Sequence, residues 1–278
     1  MYNQNPYRSE SLYGSNLRQS RSPDPVRGIL AAVSWEFVLG FVLLIGLSVA
    51  ALWGGQPNLV VPGTVGLVVF GWIFSLCLHE FAHAATAYLG GDHSESTRGY
   101  LSFNPLKYLH PVLSILLPLV FILLGGIALP GGAVYLNRNL VRSRGWQSAI
   151  SLAGPLMNAL IAIVASIPFW LGLTDTHPAL AEALALFIFF QVFAVVLNLL
   201  PIPPLDGFGV IAPWLPPDVS NSLYSFANFA FILIFLAIWY VAPISDALFG
   251  TIYNIVADLR VNPILVQLGF DTFRFWLH

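Results

Sequence analysis

The sequence predicts an all-α polytopic membrane protein with about five to six transmembrane helices, a re-entrant membrane segment and room for a short β element. Three observations carry this. Of 278 residues, 57% are hydrophobic and only 9% charged, against about 25% charged in a soluble domain. Apolar runs recur along the chain, each near the roughly 20 residues that a helix needs to cross the hydrocarbon. The connections between them leave no length for a folded extramembrane domain.

Taken in order, residues 1–27 are polar, Ser-rich and punctuated by proline, with Arg8, Arg18, Arg21 and Arg27. That composition cannot offset the entropy of folding, so the stretch reads as a flexible cytoplasmic tail. The apolar run 29–53 is longer than a signal-peptide core and shows no clear cleavage site, so it reads as a first span. Further runs lie at about 62–89, 110–129, 147–171, 178–200 and 223–243. One membrane-embedded domain is expected over 28–245, followed over 246–278 by a membrane-associated helical segment whose pattern suits either a span or a helix lying on the bilayer. The formal charge of −2 and the scattered Lys and Arg residues form no basic groove, so nucleic acid is not an expected partner. The single cysteine, Cys77, excludes a disulfide framework and a CxxC metal knuckle. A metal site must therefore draw on His, Asp and Glu.

The second run contains "SLCLHEFAHAATAY", residues 75–88. An ionisable side chain at the bilayer centre costs about 3 kcal/mol or more, so each one there marks a candidate functional site. On a helix His79 and His83 share a face, and Glu80 sits about 100° round from His79. This is the HExxH arrangement, in which two imidazoles hold Zn²⁺, the glutamate is general base, and a third protein ligand arrives from elsewhere. Solvated side chains, the bland alternative, are hard to accommodate at that depth. The third ligand is expected from "NLLPIPPLDGFG", residues 198–209, with Asp206 as the candidate. Pro201, Pro203 and Pro204 stop a helix and free carbonyls that are tolerable only beside protein or a wet cavity. Alone, the segment would read as a surface loop closed by an Asp-Gly turn. Its pairing with HExxH favours the ligand.

"HEFAH" at 79–83, "NPLK" at 104–107, "AGPLMN" at 153–158 and "NLLPIPPLDG" at 198–207 together resemble the site-2 protease family of intramembrane zinc metalloproteases, over about residues 62–210. The family's frequent PDZ or CBS appendages are not expected here, so the resemblance is to a compact form. It also implies that His79, His83 and Asp206 bind zinc, that Glu80 activates water, and that Asn198 helps hold the scissile carbonyl. His110 stands where compact relatives tend to carry an aspartate.

Topology supplies a separate constraint. If every run crossed fully from a cytoplasmic tail, His79 and His83 would lie towards the inner face and Asp206 outside, too far apart to share an ion across about 30 Å. One run must turn back, and 110–129, with Pro118 midway and Gly125-Gly126, is the best candidate for a re-entrant segment. Arg98, Lys107, Arg138, Arg142 and Arg144 then join the four tail arginines on the inner side, nine of eleven basic residues, as the positive-inside rule asks.

The remaining polar residues weigh less. Ser151, Ala153, Gly154 and Asn158 suit close helix packing, with Asn158 a lesser candidate for supporting a ligand. Glu36 is expected to snorkel or meet a bundle partner. Asp92 and His93 read as solvated turn residues, His110 as an interfacial imidazole, and His177 as lying at the opposite face. "GYLSFNPL", 99–106, alternates like a strand and offers an edge for an extended substrate. The expected function is an intramembrane zinc endopeptidase with one Zn²⁺ per chain. Its partners would be substrate helices of membrane proteins and the lipid bilayer, in the plasma membrane with the N-terminus cytoplasmic. The rival is a non-proteolytic metal-binding membrane protein, a transporter or inactive homologue. Glu80 and the lack of internal repetition speak against it.

Overall fold

A computed structural model describes residues 25–104 and 140–277. Over these the chain is helical, with no strand among the described residues. Helix α1 spans Pro25–Ala32, α2 Trp35–Gly54, α3 Pro57–Leu89, α4 Glu95–Tyr100, α5 Arg144–Trp170 and α6 Pro178–Asn198. Shorter helices follow: α7 Asp206–Ile211, α8 Pro217–Ser225, α9 Ala227–Tyr240, α10 Ala242–Asp258 and α11 Pro263–Phe273. Helices α2, α3, α5 and α6 are each long and apolar enough to cross a membrane, and a fifth span is available if the bent pair Ile232–Tyr240 and Ala242–Asp258 counts as one. The chain is thus a multi-pass, all-α membrane protein. The expected re-entrant run 110–129 lies outside the described residues, as do His110 and the tail to residue 24.

Sequence punctuation accounts for the ends of these helices. Pro57, Pro178 and Pro263 open α3, α6 and α11, at the one helical position where a missing N–H costs nothing. Ser143 caps α5, its hydroxyl accepting from the Trp146 N–H at 3.3 Å, as a favoured N-cap residue does.

Helix α6 forms the centre. Leu186, Ile188 and Phe189 are fully buried, and Ile252, Val256, Val261, Val266 and Phe273 from the C-terminal helices close over the same core. Phe189 meets Phe270 edge-on at 5.5 Å, a favoured geometry for aromatic pairs. The C-terminal segment therefore packs into the main bundle. Peripheral α2 leaves Leu39, Val42, Leu43 and Leu47 exposed. In a bilayer these face lipid at no cost, because lipid tails are as apolar as leucine and helices associate through close packing and polar contacts instead.

Three expectations change. The run 29–53 is two helices, because at Ser34 the backbone N–H turns away to the Ser102 carbonyl at 2.8 Å. That bond sets α1 against Tyr88 and Leu101, with Ile29 and Ala32 in contact. The run 223–243 is interrupted at Val241, where Pro243 bars the preceding residues from continuing a helix. The strand-like alternation at 99–106 is overridden up to residue 104: Gly99 and Tyr100 end α4, and Leu101, Ser102 and Phe103 form a buried turn. Ser94 caps α4, its hydroxyl accepting from Thr97 N–H at 3.4 Å, and local capping outweighs a weak period of two.

Candidate metal centre

The C-terminal half of α3 is packed on all sides, and the turn carrying His79, Glu80 and His83 is 5–6% exposed. Helix α5 crosses directly over it. The reason is Gly154: a Cβ there would strike the Nε2 atoms of both His79 and His83. The missing side chain leaves open the space towards which the two imidazoles point.

Each ring is held by its other nitrogen. His83 Nδ1 donates to the Ile150 carbonyl on α5 at 2.6 Å. A carbonyl only accepts, so Nδ1 carries the proton and Nε2 keeps its lone pair. His79 Nδ1 meets the side-chain oxygen of Asn158, also on α5. The two Nε2 atoms are 3.0 Å apart.

Asp206 begins α7, just beyond the Pro201-Ile202-Pro203-Pro204 turn that ends the path of α6. Its Oδ2 lies 3.3 Å from His79 Nε2 and 3.4 Å from His83 Nε2. Gly207 makes this approach possible, since a Cβ there would collide with the carbonyls of Leu199 and Leu200. Ser148 of α5 donates to the Val210 carbonyl at 2.6 Å and receives the Trp214 indole N–H at 2.9 Å, tying the α7 turn to α5.

Donor chemistry and spacing fit zinc. Tetrahedral Zn²⁺ with bonds of about 2.0–2.1 Å sets its ligand atoms about 3.3 Å apart, and the separations here are 3.0, 3.3 and 3.4 Å. Three protein donors leave a fourth position, the pattern of catalytic rather than structural zinc. Glu80, one residue along from His79, is buried, and its Oε2 has no hydrogen-bond partner among the described residues. A buried carboxylate oxygen without a donor is costly and is suited to accept from a water beside the ion.

The structure thus brings His79, His83 and Asp206 together, with Glu80 on the same turn. Asn198 is the last residue of α6 and half-buried. His177 opens α6 at its other end, stacked on Trp53 at 3.8 Å, about 30 Å away along the axis of a 21-residue helix. Asp92 is fully buried rather than solvated, accepting from Thr97 Oγ1 at 2.8 Å and Ser94 N–H at 3.0 Å; His93 packs edge-on against Tyr88 at 4.3 Å. Sequence reading passed over Gln191 and Ser148, both in contact with the residues that frame the site. Gln191 had a visible signal, being the one amide in the 21 residues of α6 before Asn198 ends it, and isolated polar groups in membrane helices act as interhelical contacts.

Fold and site together define a membrane-embedded metallohydrolase. Comparison with known proteins narrows the class. The chain is 39% identical over 272 residues, 94% of its length and 96% of the relative's, to the "Putative zinc metalloprotease Rip2" of Mycolicibacterium smegmatis. It is 40% identical over 222 residues to the protein of the same name from Mycobacterium tuberculosis, covering 80% and 84% of the two chains. It is 31% identical over 202 residues to "Putative zinc metalloprotease YwhC" of Bacillus subtilis, covering 69% and 87%. The chain belongs to this zinc metalloprotease family, and Zn²⁺ is its cofactor. No family model matches it, and no solved structure does.

Proposed function

We propose that this metalloprotease is an intramembrane endopeptidase of the site-2 type, hydrolysing peptide bonds within or beside transmembrane helices of other membrane proteins. One observation carries the reading: the His79, His83 and Asp206 donors converge beside the C-terminal half of a 33-residue apolar helix, with Glu80, whose Oε2 has no hydrogen-bond partner among the described residues, on the same turn. A transport site has no use for a general base beside its ligands.

In this mechanism His79, His83 and Asp206 would hold the ion, which when bound would supply Lewis-acid polarisation of the scissile carbonyl and a water of lowered pKa, towards about 7. Glu80, as general base, takes a proton from the attacking water and, as general acid, delivers it to the leaving amine. Asn198 steadies the carbonyl oxygen, the role its place in the family motif implies. Gly154 keeps the approach between the two imidazoles clear. Substrate helices must unwind locally to present a carbonyl, so helix-weakening residues near the cut are favoured. We further propose a plasma-membrane location with the N-terminus cytoplasmic, which puts the Arg-rich start of the chain on the inner side.

The test is Glu80→Gln in purified protein given a membrane-protein substrate. Zinc at one per chain with cleavage reduced by about 10²–10⁴-fold is the expected result. Unchanged turnover would overturn the role of Glu80, and no cleavage by the wild type of any transmembrane substrate would favour a non-proteolytic metal protein.

A further inference from the structure

The two imidazoles are oriented by different means. His83 gives its Nδ1 proton directly to a backbone carbonyl, Ile150, at 2.6 Å. His79 faces an amide side chain, Asn158, which by itself fixes nothing, because an amide rotated by 180° would offer a donor instead of an acceptor. Something must prevent that rotation.

The polar contacts beyond Asn158 form one unbranched path. Asn158 Nδ2 donates to Gln191 Oε1 at 2.9 Å, Gln191 Nε2 donates to Ser75 Oγ at 3.1 Å, and Ser75 Oγ donates to the Trp72 carbonyl at 2.8 Å. All three side chains are buried, at 1–3% exposure. The path leaves α3 at His79, crosses α5 and α6, and returns to α3 one turn earlier.

Its direction follows from its far end. Ser75 Oγ sits 2.8 Å from the Trp72 carbonyl, which can only accept, and that contact uses the single hydroxyl proton of Ser75. Ser75 Oγ is then left as an acceptor, which requires Gln191 to present its NH₂ group. Gln191 therefore turns its oxygen to Asn158, and Asn158 turns its NH₂ to Gln191 and its oxygen to His79. Facing an oxygen, His79 Nδ1 must carry the proton, and Nε2 keeps the lone pair that points towards Asp206 and His83. Reversing one link alone would set two donors or two acceptors in contact inside a buried site, and reversing all of them together would take the Ser75 hydroxyl proton away from the Trp72 carbonyl.

We infer that Gln191 and Ser75 are positioning residues of the metal centre: through Asn158 they impose on His79 the tautomer in which Nε2 is free to bind the ion. The inference rests on His79 being a zinc ligand, as the proposed function has it. Neither residue touches substrate or metal, and their effect passes wholly through the imidazole.

The experiment uses detergent-solubilised full-length protein with ¹⁵N-labelled histidine, stripped of zinc, with His79→Gln identifying the His79 signals. Wild type should show the Nδ1–H form at His79. Gln191→Met, which keeps the side-chain length, and Ser75→Ala should show a mixture with Nε2–H, while Ser75→Thr, which keeps the hydroxyl, should restore the wild-type pattern. Zinc affinity, measured by competition with a chelator, should fall about 10–100-fold in the first two variants and recover in the third. A His79 that stays purely Nδ1–H in both Gln191→Met and Ser75→Ala overturns the inference, as does a loss in Ser75→Ala that Ser75→Thr fails to reverse. Undiminished zinc binding by His79→Gln would instead overturn the ligand reading, and the zinc-free spectra judge the relay separately.

Discussion

Gly154 lies so close to His83 that a Cβ on it would collide with Nε2. Replacing it with alanine separates helix stability from site geometry. Alanine favours an α-helix over glycine by about 1 kcal/mol, so α5 should persist while the imidazoles are forced apart. Gly154→Ala is expected to keep its helical circular dichroism and lose zinc affinity by about 10–100-fold, measured as bound metal per chain. Near-stoichiometric zinc in that variant would mean that α5 does not press on the site.

Gly207 is the matching contact on the other side of the ion. Its Cα passes the Leu199 and Leu200 carbonyls, and the prolines between them limit how far that loop can yield. Gly207→Ala should displace Asp206, weakening zinc to the level of Asp206→Ala. The double variant should be no worse than either alone, since residues acting through one contact are not additive.

Metal binding should register in thermal stability. A ligand that binds only the folded state adds RT ln(1 + [L]/Kd), about 2.7 kcal/mol at a free concentration of 100 Kd. Saturating zinc should raise Tm in the wild type, chelator should reverse it and abolish proteolysis, and Asp206→Ala should show little of either response. Differential scanning of the three samples, with and without zinc, decides it.

Asp92 provides the contrast. It is fully buried and takes two hydrogen bonds from the turn that starts α4. Asp92→Ala should cost about 1–3 kcal/mol of stability with zinc per folded chain unchanged. A fall in zinc stoichiometry would implicate Asp92 in the metal site.

The parts legible in the sequence were those whose cost in a bilayer is high and local. His79, Glu80 and His83 stand out because charge is expensive in an apolar helix, and the spacing of the two histidines alone puts them on one face. Asp206 was legible through the prolines before it. The small-residue pattern marks Gly154 as a packing residue, which it is, but only the crossing of α5 over α3 reveals that what it packs against is a pair of imidazoles. Gln191 stands out as a lone amide, but its task is hidden for a similar reason: its partners, Asn158 and Ser75, sit on two other helices, and no pattern within α6 names them. The breaks at Ser34 and Val241 escaped because hydropathy records how apolar a run is and not where its backbone bonds to something else.

The site is assembled from pieces of chain made at different times. Two donors sit on α3, their orienting partners on α5 and α6, and the third donor on α7. A growing polypeptide that has not reached residue 206 offers an incoming ion only two imidazoles, with no carboxylate to complete the set. Loading must therefore wait until the later helices have been inserted and have docked, so the enzyme cannot become active halfway through its own synthesis.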